Sequence, residues 1–219
     1  MRVVITGVSQ GIGLAAAIKF LESGHEVFGL DILEEPDRLS RYPRYIHLVS
    51  DVSWKYQLPV IHGVDILVNN AGVQEEAQNI AVNLLGTINC TEVYGLQPNI
   101  KAILNVTSVS AHNGAEFPLY TASKGGVLAY TKWLAQEVAK YGATANSLSP
   151  GGVVTPMTDN IWQDTEKREA VLAETLLNKW ASAQEIAEWI YFICVINQSM
   201  TAQDIIIDNG ETAKYNFIQ

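Results

Sequence analysis

A strand-like apolar run, Arg2 to Thr6, ends in Gly7-Val8-Ser9-Gln10-Gly11-Ile12-Gly13 and passes straight into the helix-forming Leu14-Ala15-Ala16-Ala17. Glycines placed between a strand and a helix permit a tight turn, close approach of the backbone to a bound group, and close packing of helix on strand. The start of the helix adds unpaired N–H groups and the positive end of its dipole, so the turn suits an anion such as a pyrophosphate. Gly7, Ser9, Gln10, Gly11, Ile12 and Gly13 are therefore candidate cofactor-binding residues, against the plainer reading of a glycine-rich turn.

The rest of the chain repeats the same alternation. Short apolar runs at Arg2 to Thr6, Glu26 to Leu30, Tyr45 to Val49, Ile66 to Asn69, Ala102 to Thr107, Thr144 to Ser149 and Ile205 to Ile207 read as strands. Several are continuous Val/Ile/Leu runs, as expected of strands covered on both faces. Helical patterns fall between them at Ile12 to Ser23, Ala77 to Tyr94, Ala122 to Lys140 and Ala183 to Ile196, the last opened by the capping-box pair Ser182 and Glu185. This predicts an α/β fold: a doubly wound, Rossmann-type parallel sheet of about seven strands with helices on both faces. Pro36, Pro43 and Pro59 shorten the crossovers at 32–44 and 53–64. With 219 residues and no repeat or linker, a single domain over residues 1–219 is expected.

Composition removes other classes. The net charge is -9, from 14 Lys+Arg against 23 Asp+Glu, and no basic cluster offsets it, so nucleic acid is not an expected partner. The longest apolar run, Trp189 to Ile196, is far short of the roughly 20 residues a membrane span needs. The strand-like run that follows Met1 leaves no room for a charged and then apolar leader, so export is not expected. Cys90 and Cys194 lack metal-knuckle or redox spacing and read as buried free thiols of a reducing, cytoplasmic setting; no metal site is expected.

Asp31 closes the second strand, 20 residues after Gly11. There a carboxylate accepts hydrogen bonds from a ribose diol and repels a 2′-phosphate, which favours NAD over NADP, with a strand-end turn residue as the alternative reading of Asp31. Ile32 follows it at the same site, and Gln10 brings no positive charge for that phosphate. Asp51 and Val52, after the third strand, lie where an acid can meet an adenine amino group; Asp51 as a helix N-cap is the alternative.

Taken with Asn69-Asn70-Ala71-Gly72, Asn83, Ser108, Tyr120-x-x-x-Lys124 and Pro150-Gly151, the glycine turn Thr6-Gly-x-x-x-Gly-x-Gly13 resembles the short-chain dehydrogenase/reductase family over almost the whole chain. The resemblance implies an oxidoreductase that passes hydride between NAD(H) and a secondary alcohol or ketone. An NADPH-dependent carbonyl or 3-oxoacyl reductase is the alternative, and a non-catalytic NAD sensor the rival from another class.

The chemistry agrees with that set of residue types. Oxidising an alcohol needs a base for the hydroxyl proton, and tyrosine, with a pKa near ~10 in water, needs a neighbouring cation to serve as one. Tyr120 and Lys124 are spaced i and i+4, on one face of a helix. Lys124 is thus expected to favour the phenolate of Tyr120. Ser108 is the candidate holder of the substrate oxygen, with Thr107 and Ser110 as alternatives because its distance to Tyr120 is short for the family. Asn83, by resemblance, kinks its helix and holds a water that passes protons to Lys124; a core Asn is the plainer reading.

The resemblance further implies that Asn70, Ala71 and Gly72 face the adenosine, that Pro150 and Gly151 approach the nicotinamide, and that Val153 and Thr155 hold its carboxamide. It also implies a homodimer or homotetramer built through the 77–94 and 122–140 helices. Asn70 and Asn83 stand only 13 residues apart, which predicts a trimmed rim to the cleft.

Residues 156–180 occupy the family's lid position, with Met157, Ile161, Trp162, Leu172, Leu176, Leu177 and Trp180 able either to cover a substrate or to pack on the core. Lys167 and Arg168, flanked by Glu166 and Glu169, read as a solvated face. His112, on the loop after Ser108, reads as a polar loop residue. The acidic balance disfavours an acyl-carrier substrate and favours a free alcohol or ketone.

Overall fold

The computed structural model describes residues 1–214. Seven strands, β1 (Arg2–Thr6), β2 (Glu26–Asp31), β3 (Tyr45–Val49), β4 (Ile66–Asn69), β5 (Ala102–Val106), β6 (Thr144–Pro150) and β7 (Asp204–Ile207), make one sheet. Their order is β3-β2-β1-β4-β5-β6-β7, and every neighbouring pair is parallel. The expected doubly wound sheet is what the chain forms. Strand order reverses between β1 and β4, and a crevice opens there at the carboxyl ends of the strands, where such sheets bind ligands.

The period of two in the strands divides the core. Val3 and Ile5 of β1, Ile66 and Val68 of β4 and Leu104 of β5 face one side; Val4, Leu67 and Ile103 face the other. The first side is covered by α1 (Gly11–Glu22) through Ala16 and Phe20, and by α5 (Ala183–Tyr191), which follows α4 (Thr165–Ala173), through Ile186 and Ile190. On the second lie Tyr94 of α2, in which Ile80–Gly86, Thr87–Cys90 and Thr91–Gly95 run on as one helix, and Leu134 and Val138 of α3 (Pro118–Val138). Buried polar groups tie the second layer to the sheet: the Asn69 amide donates to Asn105 Oδ1 at 2.9 Å and to Thr91 at 3.1 Å, and the Asn105 amide donates to Thr131 at 2.8 Å.

Element limits differ from expectation in ways that have local causes. α3 starts at Pro118 and not Ala122, because proline sits well at the first helical position, where no N–H is needed. α2 is preceded by a separate turn at Glu76–Gln78, and much of it is wound in wide π-type turns, Asn83 among them. The capping box of α5 forms as expected, with Ser182 Oγ accepting from the Glu185 N–H and Glu185 Oε2 accepting from the Ser182 N–H at 2.8 Å. The two proline-bearing crossovers carry only a four-residue helix, Asp37–Ser40, and a three-residue turn, Lys55–Gln57. Among the described residues no helix is long and apolar enough to cross a membrane.

Candidate active site

A cleft of about 780 Å³ runs along the strand ends from β2 to the segment after β6. The glycine turn forms its floor at one end. Gly7 and Gly11 take left-handed backbone angles, φ +72 and +56, which side chains other than glycine adopt at a cost. A Cβ on Gly13 would stand 2.0 Å from the Gly7 carbonyl oxygen, so this glycine lets α1 sit hard against the turn. Asn70 fixes the turn from the other side: its amide donates to the Thr6 and Gly7 carbonyls at 3.0 and 3.1 Å. The N-cap of α1, Gln10, makes no side-chain cap bond, and its first turn holds no acid. The free N–H groups of that turn thus remain available to an anion.

Asp31 accepts the Ser9 N–H on Oδ2 at 2.8 Å and the Leu33 N–H on Oδ1 at 3.0 Å, which aims the carboxylate at the cleft while each oxygen keeps a lone pair. Asp51 caps the next turn, accepting the Ser53 N–H at 2.8 Å and the Ser53 hydroxyl at 2.7 Å, and still lines the cleft. Asp51 thus closes a local turn ahead of the Lys55–Gln57 turn, whose N-cap position is Trp54, so it is not a helix N-cap.

At the other end, β5 and α3 bring Ser108, Tyr120 and Lys124 to the same wall. Lys124 Nζ donates to the Val106 carbonyl at 3.0 Å and lies 5.7 Å from the centre of the Tyr120 ring. Burial pulls the Lys124 ammonium down to about 8, partly countered by Glu116. Burial and then Glu116 push the Tyr120 phenol up to about 12, while the Ser108 hydroxyl pulls it back. Loss of water and the nearby Glu116 carboxylate act against the phenolate that Lys124 and a positively charged nicotinamide together are expected to favour. Tyr120 is a phenol with its proton in place.

Gly7, Gln10, Gly11, Ile12, Asp31, Ile32, Asp51, Val52, Asn70, Ala71, Gly72, Ser108, Tyr120, Lys124, Pro150, Gly151, Val153 and Thr155 all line the cleft. Ser9, Gly13 and Asn83 do not. Ser9 acts through its N–H to Asp31, and Gly13 is packed beneath the turn. Asn83 is buried behind Gly72, with its side chain spent on structure: Oδ1 accepts the Val73 N–H at 2.8 Å, and the amide donates to the Val73 carbonyl at 3.0 Å and to Ser123 at 3.1 Å. Its carbonyl accepts the Thr87 hydroxyl at 2.8 Å. Of the alternatives to Ser108, Thr107 is committed to Leu148 and Ser149, and the Ser110 hydroxyl is buried without a partner.

Sequence reasoning missed the acidic mouth. Glu116, Glu174 and Glu211 line it, and Lys124 is the one basic side chain lining the cleft among the described residues. Burial raises the Glu116 carboxyl; burial, opposed by the Gly152 N–H, raises that of Glu211, with Asp208, Glu174 and Glu116 adding to the rise. Met157, Ile161, Val171 and Trp180 make the apolar side, with Trp180 stacked on Trp162 at 6.0 Å and lying where a Cβ on Gly152 would sit. Leu176 and Leu177 are exposed, and neither Lys167 nor Arg168 reaches the cleft.

A parallel-sheet crevice with a glycine-cradled anion site at one end and a buried Tyr-Lys pair at the other defines a dinucleotide-dependent oxidoreductase. The model of the family described as Enoyl-(Acyl carrier protein) reductase matches residues 7–212. The chain is 31% identical to a 3-oxoacyl-(acyl-carrier-protein) reductase of Thermotoga maritima, over 94% of this chain and 96% of that one. It is 32% identical to a glucose 1-dehydrogenase of Gluconobacter oxydans, over 99% and 93%. Among solved structures it superposes on a 4-hydroxyisoleucine dehydrogenase mutant complexed with NADH and succinate, with a TM-score of 0.89 and 27% identity over 99% of this chain and 100% of that one. The protein belongs to the short-chain dehydrogenase/reductase family, whose nicotinamide cofactor the glycine cradle, the uncapped α1 and Asp31 fit.

Proposed function

We propose that the protein is an NAD-dependent oxidoreductase that interconverts an uncharged secondary alcohol and its ketone, with Tyr120 as general acid and base. The observation that carries this reading is the meeting of Ser108, Tyr120 and Lys124 on one wall of a cleft whose other end holds Asp31. When bound, the nicotinamide supplies or takes the hydride. The chain supplies the proton chemistry. Tyr120, protonated at neutral pH, donates its phenolic proton to the oxygen of a ketone, and Ser108 holds that oxygen as charge grows on it. Lys124, whose ammonium titrates close to neutrality, returns a proton to Tyr120. Asn83 fixes Val73, next to the Gly72 backbone that packs against both Asn83 and Lys124. In the oxidative direction each proton moves the other way.

NAD is favoured because Asp31 ends β2 in the cleft with no basic side chain beside it there, and a carboxylate suits a ribose diol and repels a 2′-phosphate. An uncharged substrate is favoured because Glu116, Glu174 and Glu211 repel anions. Residues 156–180 act as the lid through Met157, Ile161 and Trp180. The exposed Leu85 and Trp133 on α2 and α3 suit assembly into a homodimer or homotetramer, and the two buried thiols suit the cytoplasm.

The test is turnover of NAD with cyclopentanol, D-glucose and a 3-hydroxyacyl thioester, each with the parent protein and Tyr120→Phe. Turnover of a free alcohol that drops at least about 100-fold in Tyr120→Phe supports the reading; no turnover, or turnover indifferent to the substitution, refutes it. The second reading, an NADPH-dependent 3-oxoacyl reductase, is favoured by the likeness to the Thermotoga enzyme. It requires the thioester and NADPH to be the preferred pair.

A further inference from the structure

The loop that carries Ser108 is fastened at its far end by a polar cluster that the reaction does not use. After β5, Thr107 N–H donates to the Leu148 carbonyl at 2.8 Å and Val109 N–H to the Pro150 carbonyl at 3.0 Å. Ser110–Asn113 then make one helical turn. The Ser110 N–H at the head of that turn donates to Ser108 Oγ at 3.2 Å, so the seat of the Ser108 hydroxyl depends on where the turn lies. The turn is held from outside by His112. Its Nε2 lies 2.8 Å from Asp204 Oδ2 and 3.2 Å from Ser149 Oγ.

Asp204 is built for this role. It stands at the first position of β7, with its side chain 10% exposed. Ser147 donates to Oδ1 at 2.5 Å and Ser149 to Oδ2 at 2.8 Å. Ser149 is also 2.5 Å from the Thr107 hydroxyl, one residue before Ser108. A carboxylate this far from water needs hydrogen-bond partners around it, and the His112 ring is the one that reaches it from the 110–113 turn. The cluster therefore reaches Ser108 from both directions, through Thr107 and through the 110–113 turn.

We infer that His112, latched to Asp204, is a positioning residue that sets the Ser108 hydroxyl for the substrate oxygen. The inference rests on the reading of Ser108 given above. His112 does not line the cleft and touches no reacting group; it acts by fixing the turn whose first N–H holds Ser108 Oγ. A displaced donor in an oxygen-binding site costs rate and leaves cofactor affinity alone.

Two measurements test it. Hydrogen exchange read by mass spectrometry on the protein without added ligand should show the 108–114 amides exchanging at least about 10-fold faster in His112→Ala, with glutamine, which keeps a donor, restoring most of the protection. Unchanged exchange in His112→Ala, or no restoration by His112→Gln, overturns the latch. Kinetics then use whichever of cyclopentanol and D-glucose turns over faster with NAD. His112→Ala should lower kcat about 10-fold at an unchanged KM for NAD, and should add nothing further to Ser108→Ala. Additive losses, or a loss that appears in KM for NAD, show that His112 does not act through Ser108 and overturn the inference alone. Full turnover by Ser108→Ala overturns the reading of the site, and the inference falls with it.

Discussion

Replacing Lys124 with methionine should abolish turnover and yet make the protein more stable. Lys124 is 4% exposed, and burial brings its ammonium from an ordinary 10.5 to about 8. Near pH 7 the amine is still charged in the folded state, and holding that charge away from water costs about 3 kcal/mol, at about 1.4 kcal/mol for each pKa unit. The folded pKa lies below the unfolded one, so between about pH 8 and 10.5 the unfolded chain holds the proton more tightly, and stability rises with pH through that window.

Methionine keeps the length of the side chain and removes the charge. It also forfeits the bond from the neutral amine to the Val106 carbonyl, worth about 1 kcal/mol. The net gain near pH 7 is then about 2 kcal/mol, which for a chain of this size raises Tm by roughly 4–8 °C. Near pH 9.5 the penalty in the parent protein has fallen to about 1 kcal/mol, and the advantage of the variant is almost gone. Urea unfolding of both proteins at the two pH values measures this directly. A variant no more stable than its parent near pH 7, or an advantage that persists undiminished near pH 9.5, would refute the argument that burial works against this charge.

Asp31→Ala should weaken NADH binding about 10-fold and narrow the preference over NADPH, read by fluorescence titration with each cofactor, since it removes both a ribose acceptor and the repulsion of a 2′-phosphate. Gly13→Ala gains about 1 kcal/mol of helix propensity. It nevertheless drives a Cβ to 2.0 Å from the Gly7 carbonyl oxygen, so urea unfolding should show a net loss of about 2 kcal/mol or more, together with lost NADH binding. Burial holds the Cys90 thiol up at about 12 and raises that of Cys194 further. Neither should react with a thiol reagent at neutral pH until urea unfolds the chain, and a fast-reacting thiol in the folded protein would contradict that burial.

What could be read in advance was whatever the chain writes locally. The strand runs, the glycine turn, the capping box of Ser182 and Glu185, and the i, i+4 pair Tyr120 and Lys124 each lie within one element or one turn, and spacing alone carries them. α3 starts four residues before the expected Ala122, at Pro118, where proline is well suited to a helix start. The wide turns of α2 have no such mark; they lie where a Cβ on Gly86 would meet Val52 and where Asn83 Oδ1 accepts the Val73 N–H, contacts with other segments of the chain.

The acidic mouth and the His112 cluster were hidden for a related reason. Glu116, Glu174 and Glu211 follow three different elements and meet only because the sheet collects its loops along one edge. His112 and Asp204 are 92 positions apart, and each alone is an ordinary polar residue, one in a short helical turn and one at the head of an edge strand. Their meeting follows from sheet order: β5, β6 and β7 are neighbours, so the end of β5 can rest its turn across β6 onto β7. Ser147 and Ser149, both on β6 and two residues apart, face the same way for the reason that strands alternate, and this brings both hydroxyls to one carboxylate. The same arrangement explains why a residue outside the cleft can govern one within it. The distance from Asp204 to Ser108 is spanned by two short pieces, the β6 hydroxyl at Ser149, which bonds Thr107 next to Ser108, and the 110–113 turn, whose first N–H donates to Ser108 Oγ.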